Sequence, residues 1–451
     1  MTHLEHNLAP LEAGRRALVL GLGRTGVSCA RYLRRKGLEV RVADTRSEPP
    51  GAATLREQVP DAELRTGAFR DDLLDGVAQV VISPGLSLRE PVAVEARLRG
   101  LPVAGDIELF AREAQAPVAA VTGTNGKSTV TALLAHLANA AGRRAIAGGN
   151  LGEPALDLLA HPAPALYVLE LSSFQLETTY TLHTAVATVL NVTPDHLDRY
   201  ESMDDYAAAK ARIFDHCDVA VVNADDARVR AMPRTGQSVI TFSVVDPAAD
   251  YFLARDPEPV LACRGEALLP MSAIRLQGEH NAANALAALA MCEALGLPRA
   301  PVLGGLATFG GLEHRAQWVA DVGGVRFVND SKGTNVGATI AAVSGMAGPL
   351  VLIAGGDGKH QAFDALRPVC RGKVRHAVLI GRDAPQLEAV LQGVCSTERA
   401  ADMRAAVGAA RAAARPGDTV LLSPACASLD MFRDYAHRGD EFAAAVRSLE
   451  G

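Results

Sequence analysis

The stretch Ala119–Ala135, AAVTGTNGKSTVTALLA, decides the fold of this chain. An apolar strand pattern leads into a turn of Gly, Asn, Lys and Ser, and an Ala- and Leu-rich helix pattern follows the turn. In such a strand–loop–helix unit, the backbone amides of Gly123–Lys127 and the helix N-terminus would surround an anion. Lys127 would contact terminal phosphates, and the Ser128 hydroxyl suits Mg²⁺. The stretch therefore predicts a site for ATP with Mg²⁺.

The spacing of this loop differs from the common phosphate-binding pattern G-x-x-x-x-G-K-[ST]. That pattern would place a glycine at position 121, but Val121 stands there and Gly123 comes two residues later. A Gly/Asn turn that merely caps a helix is the alternative interpretation. We expect the shortened loop to bind phosphate through the same kinds of groups as the common pattern.

Length and composition limit the classes of protein to which this chain can belong. The chain of 451 residues predicts about three domains, at roughly 150 residues per domain. A net charge of −6 without a basic run argues against nucleic acid or an anionic membrane surface as a partner. Seven isolated cysteines, no signal-peptide pattern and no apolar run of about 18 residues predict a cytosolic protein without a membrane span.

A second glycine-rich turn, GLGRTG at Gly21–Gly26, follows the strand pattern RALVL, and Asp44 closes the next strand. This arrangement fits the dinucleotide fingerprint of a Rossmann unit. The glycines could instead serve only a tight turn and close packing of helix on strand. Because ADTR and SPG also stand at strand ends, we predict a nucleotide diphosphate here.

Alternating strand and helix patterns run along the whole chain and predict an α/β protein of three domains. Residues 1–106 form a Rossmann-like domain, and residues 107–311 a P-loop-type ATPase domain with a mostly parallel sheet. A small antiparallel excursion is expected between 241 and 271. Residues 312–451 form a second Rossmann-like domain.

Candidate metal ligands follow two strands of the central domain. Glu170 lies in LELSSFQLE, and VLNVTPDHLDRY contains Asn191, Asp195, His196 and Asp198. A carboxylate and an imidazole near phosphates indicate a divalent metal, although each singly would fit a cap or a surface group.

Lys210 shares one helical face with Tyr206, Ile213 and Phe214. Burial would lower its pKa and leave a neutral amine able to react with CO₂ to give a carbamate. A lysine that extends to solvent is the alternative.

The last third of the chain concentrates cations and hydroxyls at strand ends. Such a set suits a small dicarboxylate and a phosphoryl group in transfer. Its members are His314, Arg315, Asp330, Lys332, Thr334, Lys359, Ser428, Tyr435 and Arg438.

With these residues in place, the chain resembles the Mur ligases over essentially its whole length. The motifs that carry the resemblance, in order, are GDIELF, TGTNGKST, GGNLG, LELSSFQLE, NVTPDHLDRY, HNAANALAAL, NDSKGTNVGA, GGDGK and LSPACASLDMF. The resemblance implies a cytoplasmic, monomeric ligase of peptidoglycan synthesis that uses ATP and two Mg²⁺ ions. Its substrates would be UDP-N-acetylmuramoyl-L-alanine and D-glutamate, joined through an acyl phosphate.

The resemblance also assigns residues to sites. It implies catalytic roles for Lys127, Glu170, His196, Lys210, Lys332 and Lys359. It implies metal binding by Ser128, Glu170, His196 and a carbamylated Lys210. The ATP site would comprise Gly123, Thr124, Asn125, Gly126, Lys127, Ser128, Thr129, Asn281, Asn284, Arg315, Asp330 and Lys332. The UDP-sugar site would comprise Gly23, Thr25, Gly26, Asp44, Thr45, Arg46, Ser83, Gly85, Asn150, Ser172 and His196. The glutamate site would comprise Thr334, Lys359, Ser428 and Tyr435.

Three other functions stay open. The chain could be a Mur ligase that adds another amino acid, such as L-glutamate, or a folylpolyglutamate-type enzyme. It could also be a nucleotide-binding regulator without turnover. The UDP-type N-terminal domain argues against the folate enzyme, and the joint presence of Glu170, His196 and Lys210 argues against the regulator.

Overall fold

The computed structural model describes residues 13–150, 152–197, 199–276, 278–346, 348–359 and 361–449, without the side chain of Asp71. Asp198, a candidate metal ligand, lies outside these ranges. The described residues form three β-sheets flanked by helices, which confirms the predicted α/β fold with three domains. The domain limits at 106/107 and 311/312 remain a prediction.

The first sheet is wholly parallel, with the strand order β3-β2-β1-β4-β5 of a Rossmann unit. In this order the loops after β1, β2 and β4 meet at one edge. The strands are β1 Arg16–Leu20, β2 Glu39–Asp44, β3 Glu63–Thr66, β4 Val77–Ile82 and β5 Val103–Ala104. The helices are α1 Arg24–Arg35, α2 Ala52–Gln58 and α3 Pro91–Leu98, and α4 Asp106–Ala111 leads to the next sheet.

The second sheet has the order β14-β13-β12-β11-β10-β9-β6-β8-β7. Strands β6 to β12 pair in parallel, whereas β12, β13 and β14 pair antiparallel, which confirms the predicted excursion. The strands are β6 Val118–Thr122, β7 Ala145–Gly149, β8 Leu166–Glu170, β9 Thr184–Val189, β10 Cys217–Asn223, β11 Ser238–Ser243, β12 Tyr251–Ala254, β13 Val260–Cys263 and β14 Glu266–Pro270. The helices are α5 Lys127–Ala140, α6 Ala155–Leu158, α7 Ser173–Leu176, α8 Met203–Ala211, α9 Ala227–Arg230, α10 Glu279–Ala294 and α11 Arg299–Thr308.

The third sheet has the order β15-β16-β20-β17-β18-β19, with only β15 antiparallel to its neighbour. Its central strand β17 is buried on both faces, as its continuous apolar sequence requires. The strands are β15 Gln317–Val322, β16 Val325–Asn329, β17 Leu350–Gly355, β18 Val374–Ile380, β19 Ser396–Arg399 and β20 Thr419–Leu422. The helices are α12 Val336–Gly345, α13 Leu366–Cys370, α14 Ala384–Leu391, α15 Met403–Ala413 and α16 Tyr435–Arg447.

The apolar cores show how the domains are joined. One cluster of buried side chains runs from Val19 and Leu33 in the N-terminal domain to Phe110, Tyr167 and Phe214 in or beside the central one. The third domain has its own clusters on the two faces of its sheet. No helix in the described ranges has the length and hydropathy needed to cross a membrane.

Asp106 lies at the junction of the first two domains, with 2% of its surface exposed. Its Oδ2 accepts a hydrogen bond from Gln175 Nε2 at 3.0 Å, whereas Oδ1 has no hydrogen-bond partner in the part of the chain that the structure describes. Burial raises the pKa of Asp106 to about 6. The protonated carboxyl group of Asp106 therefore stabilises the folded state, and this stabilisation is lost as the pH rises through about 6.

We expect Asp106→Asn to change how stability depends on pH. Relative to the wild type, the free energy of unfolding of the variant should rise by up to about 3 kcal/mol from pH 4 to pH 8, because two pH units of pKa shift correspond to roughly that energy. Urea unfolding at both pH values measures the difference. The exposed Asp72 supplies the control Asp72→Asn. Parallel pH profiles for the wild type and Asp106→Asn would contradict the expectation.

Candidate functional site

The phosphate-binding loop occupies the turn between β6 and α5. Gly123 and Gly126 have φ angles of +150° and +84°, which favour glycine. The amides of Thr124 and Asn125 donate to the main-chain oxygen and the Oδ1 of Asn191, both at 2.9 Å. Lys127 Nζ donates to the carbonyls of Gly123 and Thr124 at 3.0 and 2.9 Å. The loop is thus held by its own lysine and by the segment after β9.

The sheet order brings the predicted metal ligands to this loop. Strands β9, β6, β8 and β7 are neighbours in that order, so the residues that follow them meet at one edge. Glu170 ends β8; its Oε1 accepts from Asn150 Nδ2 at 2.5 Å, and its buried Oε2 has no hydrogen-bond partner among the described residues. That free oxygen fits a cation.

Lys210 is buried beside the loop, with 1% of its surface exposed. Its Nζ donates to the carbonyl of Gly123 at 2.9 Å and lies 4.4 Å from the ring centroid of Tyr206. The ammonium thus points into the protein rather than to solvent, which contradicts the alternative interpretation. Burial, reinforced by the charge of Lys127, holds the pKa of Lys210 well below its usual range.

Other groups around the loop share this electrostatic environment. Burial lowers the pKa of Lys127 and of His196, so the imidazole is neutral near pH 7. Within the described ranges, no group of three His, Cys, Asp or Glu side chains could hold a metal ion. The Ser128 hydroxyl and a modified Lys210 therefore remain predicted metal ligands beside Glu170 and His196.

The third domain reaches the loop from the opposite side. Arg315 Nη2 donates to Ser128 Oγ at 2.6 Å. Asn335 caps α12 through its Oδ1, while its Nδ2 donates to Asn125 Oδ1 at 3.2 Å and to Asp195 Oδ2 at 3.3 Å. Lys359 Nζ lies 4.0 Å from Asp195 Oδ1. The cleft between the two domains is therefore closed over the loop.

One pocket in this cleft collects most of the predicted ATP residues. Burial lowers the pKa of Lys332 to about 8 and raises that of Asp330 to about 6. Four predicted residues do not line the pocket but adjoin it through the loop and through Arg315: Gly123, Thr124, Lys127 and Ser128. The predicted residues that line it are Asn125, Gly126, Thr129, Asn281, Asn284, Arg315, Asp330 and Lys332.

The predicted uridine diphosphate residues form a separate pocket at the edge where β1, β2 and β4 end. Asp44 accepts from the Leu22 amide at 2.7 Å, and Arg46 engages both of its carboxylate oxygens. This ion pair lowers the pKa of Asp44 to about 2. Gly26 lies beneath the turn, where a Cβ would come 2.0 Å from the carbonyl of Gly21. The pocket is lined by Gly23, Thr25, Asp44, Thr45, Arg46, Ser83 and Gly85.

The three remaining residues of the predicted UDP-sugar site do not line this pocket. Asn150, Ser172 and His196 belong to the central domain, beside Glu170 and the phosphate loop. Ser172 caps α7 through a reciprocal pair of hydrogen bonds with Gln175. The predicted UDP-sugar site thus extends from the pocket in the N-terminal domain to the candidate metal ligands in the central domain.

The predicted glutamate residues follow neighbouring strands of the third sheet. Asp357, close to Lys359, exchanges backbone hydrogen bonds of 3.0 and 2.8 Å with Ala427, next to the buried Ser428. The ring of Tyr435 lies beneath Lys332, whose Nζ is 3.9 Å from the centroid. Thr334 lies two residues after Lys332, and its amide donates to the carbonyl of Lys332 at 2.7 Å. The structure therefore groups Lys359 with Ser428 and Tyr435 with Lys332.

Two residues, Asn335 and Asp195, bridge the cleft, and of these only Asn335 was absent from the predicted candidates. Asp195 stood among the candidate metal ligands, and Asn335 ends the motif NDSKGTN. The cap role of Asn335 could have been found from the helix that follows it. Its contacts with Asn125 and Asp195 could not, because those partners are remote in sequence.

Comparison with known families agrees with this geometry over most of the chain. Residues 15–105 match the MurD-like N-terminal domain of Mur ligases, 121–292 the Mur ligase middle domain and 314–426 the Mur ligase glutamate ligase domain. The chain belongs to the Mur ligase family. The matched ranges contain the phosphate loop and the predicted residues that line the two candidate pockets. They also contain both partners of the hydrogen bond between Arg315 and Ser128.

Relatives within the family are similar along the whole chain. The UDP-N-acetylmuramoylalanine–D-glutamate ligase of Nitrosococcus oceani is 52% identical over 437 residues, covering 96% of each chain. The enzyme of the same name from Methylococcus capsulatus is 52% identical over 441 residues, or 97% of this chain and 96% of that one.

Solved structures of this Mur ligase fold are similar in shape at much lower identity. The UDP-N-acetylmuramate-alanine ligase MurC of Thermotoga maritima superposes with a TM-score of 0.62 at 19% identity, covering 96% of this chain and 99% of that one. MurF of Acinetobacter baumannii superposes with a TM-score of 0.60 at 17% identity, covering 100% of this chain and 93% of that one. These similarities concern the fold alone.

Proposed function

We propose that this protein is an ATP-dependent ligase that joins D-glutamate to UDP-N-acetylmuramoyl-L-alanine in the cytoplasmic phase of peptidoglycan synthesis. The observation that carries the proposal is the contact of Arg315 with Ser128, which brings a cation of the third domain onto the phosphate loop of the second. The names of relatives about half identical along the chain support the choice of substrates. We also propose a monomer as the active species, as the resemblance to the family implies.

The reaction proceeds in two steps. The muramoyl-linked alanine carboxylate attacks the γ-phosphorus of ATP, giving an acyl phosphate and ADP. The D-glutamate amine then attacks the acyl carbon, forms the amide, expels phosphate and loses a proton. Lys127 and Arg315 neutralise charge on the transferring group, and positioning supplies much of the acceleration in such chemistry. The closed cleft shields the acyl phosphate from water.

Mg²⁺ fits the donors at the loop. The buried, unpartnered Oε2 of Glu170 is a hard oxygen donor of the kind that Mg²⁺ prefers. Ser128 Oγ, His196 and a carbamate on Lys210 would complete the ligands for two ions. Bound Mg²⁺ would neutralise charge on the phosphates of ATP.

The amino acid is expected to be held by the third domain. Lys359 and Ser428 would bind glutamate carboxylates, with Thr334 beside them. Tyr435 would fix Lys332 against its ring, because a cation over an aromatic face is stabilised. The uridine diphosphate would occupy the N-terminal pocket, where the ribose hydroxyls compete with Arg46 for Asp44. Arg46 is 54% exposed at its side chain, and the incoming hydroxyls would replace the hydrogen bonds that it gives to the buried Asp44.

Phosphate release tests this function. The protein is incubated with UDP-N-acetylmuramoyl-L-alanine, ATP and Mg²⁺, and D-glutamate, L-glutamate or meso-diaminopimelate is added separately. We expect amide formation with D-glutamate. Product with L-glutamate alone would indicate a variant ligase, and nucleotide binding without product under any condition would indicate a regulator.

The phosphate loop offers a direct test of ATP binding. In Gly126→Ala, the new Cβ would come 2.5 Å from Asn284 Oδ1 at a left-handed φ of +84°. We expect the Kd for ATP, measured by calorimetry, to rise at least about 10-fold, because the loop must shift away from its phosphate-binding shape. Gly142→Ala is the matched control, since Gly142 has a φ of +79° and open space around it. Equal ATP affinity in the two variants would contradict the expectation.

A further inference from the structure

Arg199 follows the candidate residue His196 and reaches from the central domain into the N-terminal one. Its Nη1 donates to the carbonyl of Pro84 at 3.1 Å, and its Nη2 donates to that of Leu86 at 2.9 Å. Nη2 also donates to Glu177 Oε2 at 3.0 Å, and the Arg199 side chain is only 14% exposed. A buried guanidinium with several acceptors in fixed directions holds the segments that it joins in one relative position.

The N-terminal segment that Arg199 holds is one wall of the candidate nucleotide pocket. Residues 83–86 line that pocket opposite the turn at residues 21–25. Ser83 Oγ donates to the carbonyl of Gly21 at 3.2 Å, so the two walls are linked. A ligand that moves or rigidifies this wall therefore acts directly on the carbonyls that Arg199 binds.

At its other end, Arg199 is tied to His196. The amide of Arg199 donates to the carbonyl of His196 at 3.0 Å. Its guanidinium carbon lies 4.2 Å from the ring centroid of Phe174, and that ring meets the His196 imidazole edge-on with centroids 4.9 Å apart. His196 has a φ of +55°, a strained backbone that persists only where the surroundings impose it.

We propose that Arg199 is a positioning residue that transmits the binding of uridine diphosphate in the N-terminal pocket to the imidazole of His196. This inference rests on the proposed function, because it requires that the pocket take the nucleotide diphosphate. It adds that the nucleotide end of the substrate, distant from the reacting carboxylate, sets the geometry of the central site. The path consists of the 83–86 wall, the guanidinium of Arg199 and the ring of Phe174.

The variant Arg199→Met keeps an unbranched stem against Phe174 and removes the donors. Arg212→Met is the matched control. Arg212 also lies in the central domain, donates to the carbonyls of Leu176 and Thr179 at 2.8 Å each, and lies over the ring of Tyr180. These contacts stay on the central-domain side, so Arg212 shares the chemistry of Arg199 without the link to the pocket wall.

The probe is UDP alone, added to protein labelled at histidine with ¹³C. The Cε1–Hε1 signal of His196 is assigned with His196→Asn. Saturating UDP should shift this signal in the wild type and in Arg212→Met but leave it in place in Arg199→Met. The Kd for UDP, measured by calorimetry, should rise no more than about 10-fold in Arg199→Met, since Arg199 reaches the wall through backbone carbonyls.

Several outcomes would overturn the inference. One is an equal shift in Arg199→Met, and another is complete loss of UDP binding in that variant, which would make Arg199 a binding residue. If the wild-type protein bound UDP without a shift of the His196 signal, this inference would be wrong, but the proposed role of the pocket would stand. A wild-type protein that does not bind UDP would instead overturn the proposed role of the pocket.

Turnover gives a second readout. In Arg199→Met, kcat should fall about 10-fold or more, with a smaller change in the KM for the sugar nucleotide, because small misplacement of a reacting group lowers the rate steeply. Unchanged kcat with a raised KM would contradict a positioning role. Arg212→Met should retain both values if it folds as the wild type does.

Discussion

Lys210→Ala is expected to lower kcat at least about 10³-fold, the largest loss of any single substitution considered for this chain. The wild-type amine is buried against Gly123 and Tyr206, and burial lowers its pKa, which favours the neutral, nucleophilic form. We propose that the neutral amine adds to CO₂, forms the N–C bond and releases one proton to give a carbamate. The carbamate oxygens would then be anionic ligands for the proposed metal near Glu170, whose charge acts on Lys210.

Chemical rescue separates this role from a structural one. Formate or acetate should restore part of the turnover of Lys210→Ala, because a short carboxylate can occupy the space that the side chain leaves. Lys210→Met, which fills that space, should be inactive and should not respond. Lys36→Ala is the control, since Lys36 pairs with Glu113 at 2.8 Å on the surface. Near wild-type activity of folded Lys210→Ala, or the same response to carboxylates in both variants, would rule out the carbamate.

The burial of Lys210 shows what a sequence pattern can predict. The spacing of Tyr206, Lys210 and Phe214 places them on one helical face, and all three are at most 1% exposed. The same holds for the loops after strands, since a parallel sheet brings the carboxyl ends of its neighbouring strands to one edge. Local periodicity and sheet topology therefore predicted the fold and the burial of Lys210, whereas the resemblance to the Mur ligases supplied pocket residues such as Asn281 and Asn284.

Contacts between domains could not be predicted in this way. Asn335 meets Asn125 and Asp195 across separations of 210 and 140 residues, and Arg199 meets Pro84 across 115. Asn335 and Arg199 each lie in a short polar motif whose sequence fits a helix cap or a turn equally well. Which partner it meets depends on how two folded domains dock, and no local pattern records that geometry. The sequence therefore predicted Arg315 and Lys359 as site residues, but not which partners they and Asn335 meet across the cleft.

Arg315→Met is expected to lower kcat about 10²- to 10³-fold, because it removes the cation that the third domain places on the phosphate loop. The affinity for UDP should not change, since the candidate nucleotide diphosphate pocket lies in the N-terminal domain. Arg315→Lys should recover only part of the rate, because a lysine lacks the planar fork of donors. Kinetics with saturating ATP and sugar nucleotide measure the loss.

The control for Arg315 is Arg326→Met, in the same domain. Arg326 is 62% exposed and pairs with Asp321 at the surface, so its removal should leave kcat within about 2-fold of wild type. The comparison separates loss of a cation at the loop from a change in the overall charge of the third domain. If Arg315→Met kept wild-type kcat, closure of the third domain over the loop would not supply charge to the reaction. The proposed role of that domain would then reduce to holding the amino acid.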